Sequence, residues 1–65
     1  MCESKIVVRL DGEEKVLADE IAALDPAAMK AYRVDGSTVD LAGYRIEMID
    51  FLRHRVYVKP VEKEA

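Results

Sequence analysis

The chain has one cysteine in its 65 residues, Cys2, and that scarcity closes several routes at once. A single thiol makes no intramolecular disulfide, and by itself it cannot fill a tetrahedral zinc site. A domain of this length sits near the lower limit for independent folding, where a small core is commonly supplemented, so metal or a partner chain is left to do it. No segment approaches the roughly 20 apolar residues that cross a bilayer, and no basic stretch followed by an apolar run opens the chain. With its unpaired thiol, the protein is expected to be soluble and cytoplasmic, with no membrane partner. Thirteen acidic and ten basic residues leave a net charge of −3 with no long block of either sign. Affinity built on phosphate neutralisation is therefore not expected, and nucleic acid is not the expected partner. There is no glycine-rich phosphate loop, no paired-cysteine motif and no Ser/His/Asp or Cys/His constellation with a third group, so no enzyme is read here. Repeats, linkers and low-complexity segments are also missing. One domain is expected over residues 1–60, followed by a solvated tail at 61–65.

What is present fits strands. Lys5 to Leu10 alternates, with Ile6, Val8 and Leu10 on one face and Lys5, Val7 and Arg9 on the other. Asp11-Gly12 is a pair that tight hairpins prefer, and Glu13 to Leu17 returns as the second strand. Residues 18–32 are ambiguous: they are alanine-rich with high helix propensity, yet Asp25-Pro26 cuts them into pieces too short for isolated helices. Short strands or a single helical turn are expected there. Val34 to Ser37 reads as a turn, Thr38 to Leu41 as a strand and Ala42-Gly43 as a bend or bulge. In Tyr44 to Asp50, the side chains of Tyr44, Ile46 and Met48 share one face. Phe51 to His54 turns the chain into a last strand, Arg55 to Lys59, with Val56 and Val58 inward and Pro60 ending it. The pattern predicts an all-β fold, a small, strongly curved barrel.

The candidate site residues are few. A free cysteine is usually a small buried hydrophobe or an incidental surface thiol, but a chain terminus seldom contributes to a core. If the initiator methionine is trimmed, Cys2 carries an amine and a thiol on adjacent carbons, which close a five-membered chelate ring on a metal. If Met1 is kept, its amine and the Cys2 backbone nitrogen stand beside the thiolate. His54 is the only histidine and the natural second suspect, although a histidine between Arg53 and Arg55 is more often a polar turn residue than a ligand. The carboxylate pairs Glu13-Glu14 and Asp19-Glu20 suit hard cations only in larger converging sets, and a solvated hairpin edge explains them. Arg53-His54-Arg55, with Phe51 and Tyr57 nearby, is the one short patch of nucleic-acid-like composition.

Met1-Cys2-Glu3-Ser4-Lys5-Ile6-Val7, Asp19-Glu20-Ile21, Asp40-Leu41-Ala42-Gly43 and especially Ile46 to Val56 together resemble the CooT family. These are small nickel-binding accessory proteins associated with maturation of nickel-dependent carbon monoxide dehydrogenase. The resemblance runs from Met1 to about Lys59, and residues 22–33 match only in length and turn placement. It implies a homodimer of Sm or SH3-like barrels that holds Ni(II) through Cys2, with a nickel-enzyme client such as carbon monoxide dehydrogenase. Relatives labelled as predicted RNA-binding proteins carry that label on fold analogy. The donor chemistry is consistent with the nickel expectation, because thiolate and strong nitrogen donors suit square-planar Ni(II), and two N-termini meeting across a two-fold axis offer four such donors. Met1, Cys2 and His54 are the candidate ligands. A small RNA-binding barrel and an adaptor dimer with an incidental cysteine are the alternatives.

Overall fold

The computed structural model describes residues 3–61, and among them there are six strands and no helix. Among the described residues, no helix is long and apolar enough to cross a membrane. The strands are β1 (Ser4–Leu10), β2 (Glu13–Asp25), β3 (Lys30–Arg33), β4 (Thr38–Asp40), β5 (Tyr44–Asp50) and β6 (Arg55–Pro60). They form one sheet in the order β4-β3-β2-β1-β6-β5, with β1 and β6 parallel and every other neighbour antiparallel.

That order forces the sheet to curl. The two edge strands, β4 and β5, are consecutive in the chain and joined only by Leu41–Gly43. A flat sheet would hold them about 24 Å apart across five strand spacings, while the link spans at most about 15 Å. The result is a half-barrel whose concave side holds the core: Ile6, Ala18, Ile21, Ala31, Leu41, Val56 and Val58. Leu41 sits in the link itself and is fully buried, so the connection that bends the sheet also fills its hollow. The Leu41 N–H donates to the Met29 carbonyl at 2.9 Å and its own carbonyl accepts from Tyr44 N–H at 3.1 Å.

The turns follow their local chemistry. Leu10 pairs with Glu13 across Asp11 (φ 54°) and Gly12 (φ 79°), the two left-handed residues of a type I′ hairpin. Ser37 donates its backbone N–H (2.9 Å) and hydroxyl (2.7 Å) to Asp35 Oδ1, which fixes the 34–37 turn and, with Ser37 as the main cause, lowers the Asp35 pKa.

The ambiguous middle is β-structure. The second strand does not stop at Leu17 but continues to Asp25, bent by irregularities that add residues relative to both neighbours. Ser4 pairs with Ile21, Ile6 with Ala18 and Val7 with Val16, so β2 advances three and then two residues for β1's two and one. Glu20 takes a left-handed φ of 57° at one of these bulges. Its inward residues are therefore Ala18, Ile21 and Leu24, three apart, a spacing that imitates one face of a helix. A second bulge corrects the expected face of β5. Ile46 pairs with Val58 but Met48 with Tyr57, so Met48 moves to the outer face and Ile49, opposite Val56, takes the inner one.

Candidate functional site

Met1 and Cys2, two of the three candidate ligands, lie outside the described residues. His54 is described, and its position follows from the turn that carries it. Asp50, the last residue of β5, accepts the Arg53 backbone N–H on Oδ1 at 3.0 Å and the Arg53 guanidinium on Oδ2 at 3.1 Å. The hydrogen bond from the Arg53 backbone, first, and the Arg53 side chain with it, hold the Asp50 carboxyl below the usual aspartate value. His54 then takes a left-handed φ of 58°, which swings the chain into β6. Its imidazole is exposed, and its carbonyl oxygen accepts the Lys5 N–H at 2.9 Å. The only histidine is thus tied through its backbone to the strand that begins two residues after the only cysteine. Among the described residues, no group of three or more His, Cys, Asp or Glu side chains converges as a metal site. The carboxylate pairs stay apart from one another in use: Glu14 Oε2 pairs with Arg9 Nε at 3.4 Å, and Asp19 and Glu20 are exposed.

A hollow of about 240 Å³ opens beside this turn, lined by Ser4, Leu24, Pro26, Ile49, Phe51 and His54 among others. Its far wall is held by Asp25, whose Oδ1 accepts the N–H groups of Ala27 at 3.1 Å and Ala28 at 3.3 Å and so fixes the turn that follows β2. At the tip of the β5–β6 turn, Phe51 and Leu52 are 81% and 87% exposed. From the sequence, 51–54 reads as a turn and Phe51 as a neighbour of the Arg53-His54-Arg55 patch, but the joint exposure of Phe51 and Leu52 is not anticipated. The available signal was two large apolar side chains in succession within a turn, where polar residues normally sit.

The outer face of the sheet breaks up the patch of nucleic-acid-like composition. Tyr57 is only 5% exposed, and the Arg9 guanidinium lies 4.0 Å from its ring centroid. Val7, its parallel partner, is buried beside it outside the main core cluster. The Tyr57 ring is therefore covered by protein and offers no stacking platform for a base, leaving Phe51 as the exposed aromatic next to Arg53 and His54. Contact with Tyr57, foremost, keeps Arg55 even more firmly protonated than a free guanidinium.

Searches against protein-family models, curated proteins and solved structures returned no match to this chain.

Proposed function

We propose that this protein is a nickel-binding accessory protein that holds Ni(II) through Cys2 between two copies of the chain and passes it to a nickel enzyme. Nickel is cargo in this reading, not a resident cofactor, and the protein has no reaction of its own. The observation that supports the proposal is the hydrogen bond from the Lys5 N–H, three residues after Cys2 in the sequence, to the turn containing the sole histidine. The donors available there fit the ion: a thiolate, an α-amine from Cys2 or Met1, and a backbone nitrogen are the soft and strong-field ligands that Ni(II) takes in tetragonal sites. One thiolate per chain is too few for a closed site, which supports a homodimer of small, Sm or SH3-like barrels. His54 is the candidate auxiliary ligand, because its carbonyl oxygen accepts the N–H of Lys5, three residues after Cys2 in the sequence. The resemblance to the CooT family supports carbon monoxide dehydrogenase as the kind of client, and an unpaired thiol supports a reducing, cytoplasmic setting.

The test is nickel titration of the wild type and of Cys2→Ser, followed by visible absorption. Thiolate-to-metal charge transfer should appear with the wild type and be absent from Cys2→Ser, while His54→Ala should weaken binding far less. Equal damage from the two substitutions would make His54 a direct ligand. Undiminished nickel binding by Cys2→Ser would end the metal reading and leave an adaptor dimer. Binding to RNA that falls steeply with salt and ignores Cys2 would favour the RNA-binding alternative.

A further inference from the structure

The outer face of the sheet carries a charge pattern that folding alone does not favour. Lys5 stands beside Arg55 across the parallel β1–β6 pair, and Arg45 stands opposite Lys59 across β5–β6. Like charges placed opposite one another lower the stability of a sheet, and a chain with thirteen acidic residues has the means to avoid both pairs. We propose that this face is a docking surface for an extended acidic segment of another protein. The inference is independent of nickel and of Cys2.

The register gives the surface its layout. Arg55, Tyr57 and Lys59 alternate to the outer face of β6, while Val56 and Val58 enter the core. Val7 lies beside Tyr57, Val16 beside Val7, and Met48 on the other side of Tyr57. These four make one apolar row across the sheet, closed in the middle and open at its ends, where Val16 and Met48 are 53% and 44% exposed. A cationic row lies on each side of it. One is Lys5 with Arg55; the other, one residue past the Val8–Val58 pair, is Arg9 with Lys59 and Arg45. The two rows are four residues apart along β6, about 13 Å.

An extended chain repeats its side-chain direction every second residue, so carboxylates four positions apart reach both cationic rows and an apolar side chain midway rests on the apolar one. The cations are available to them. Lys5, Arg45 and Arg55 form no ion pair among the described residues, and the contacts of Arg9 with Glu14 at 3.4 Å and of Lys59 with Glu47 at 3.7 Å are partly exposed and individually weak. Asp50 faces Arg55 in register, but both its oxygens accept from Arg53. Five of the ten basic residues therefore gather on one face of a chain whose net charge is −3. Arginine, tyrosine and methionine are also the residues that protein interfaces favour. A nucleic-acid strand fits less well, because Glu14 and Glu47 interrupt one cationic row against a continuous run of phosphates and Arg9 covers the Tyr57 ring at 4.0 Å.

The test titrates the isotope-labelled full chain with a short peptide carrying glutamate at every fourth position, leucine midway between and serine elsewhere, followed by amide shifts in heteronuclear NMR. At low salt a Kd below about 1 mM is expected, with shifts concentrated on β1, β6 and the start of β5. Replacing glutamate by glutamine in the peptide, or raising salt to about 0.5 M, should each weaken binding by about tenfold or more. Lys5→Glu combined with Arg45→Glu should weaken it by about tenfold or more and leave Tm unchanged or higher, since each substitution turns a like-charged pair into an opposite one. Lys30→Glu, a reversal on β3 in register with Asp25 and Asp40, should alter Kd by less than about twofold. Absence of binding at this level, or shifts centred away from the face, would overturn the proposal. A clear fall in Tm of the Lys5 and Arg45 double variant would do so too, because the like-charged pairs would then serve the fold. Tighter binding of this face to a single-stranded RNA of equal charge would assign it to nucleic acid and overturn the protein reading.

Discussion

Leu41→Ala tests the account of how this small sheet curls. Leu41 is fully buried in a three-residue link, and no other residue between β4 and β5 contributes to the core cluster. Truncating a fully buried leucine costs the lost transfer free energy plus the residual cavity, about 3 kcal/mol. A 65-residue domain has only about 3–10 kcal/mol of total stability, so the variant should lose between a third and all of it. For a domain this size the loss corresponds to a fall of about 12–24 °C in Tm. Urea denaturation followed by circular dichroism, at one protein concentration for all variants, measures the effect. The control is Leu10→Ala, the same chemical change at a side chain that is 50% exposed, with an expected loss of about 1 kcal/mol or less. Leu41→Met, which conserves volume, should cost less than about 1.5 kcal/mol. If Leu41→Ala lost no more stability than Leu10→Ala, the link would be an ordinary surface connection, and the argument that it fills the concave side would be wrong.

Gly43 has φ 89° with open space around the position of a Cβ, so Gly43→Ala should lose about 1 kcal/mol or more from backbone strain alone. D-alanine at the same position, accessible by chemical synthesis at this length, should recover that loss in a thermal melt. The Asp50 pKa is lowered in the folded chain from its ordinary 3.8, chiefly by the Arg53 backbone N–H, so its stabilising contribution is complete above that value and disappears as pH falls through the folded pKa. Asp50→Asn should therefore flatten the decline of Tm below about pH 4, and an unchanged acid limb would show that the turn contributes nothing to acid sensitivity. Nickel binding should weaken as pH falls, since protons compete for the thiolate and the nitrogen donors, and pH-independent affinity by competition titration would exclude thiolate ligation.

The turns and the all-β class were legible in the sequence alone. Asp11-Gly12, Asp35-Gly36 and Gly43 are legible because positive φ and side-chain-to-backbone bonding belong to the residues that adopt them. Cys2 and His54 stand out by being the only residues of their kind. Tertiary structure decided the rest. The bulges in β2 spread its inward residues to every third position, so Ala18, Ile21 and Leu24 read locally like a helix face although the backbone is extended. The bulge in β5 sent Met48 outward for the same reason: register belongs to a pair of strands, and neither strand carries it alone. The hollow beside His54 joins β1, the end of β2 and the β5–β6 turn, segments up to about fifty residues apart, and no local pattern in any of them announces it. Local chemistry selects where a chain turns; which surfaces then meet depends on closing the sheet, and only the three-dimensional arrangement of β1 between β2 and β6 settles that.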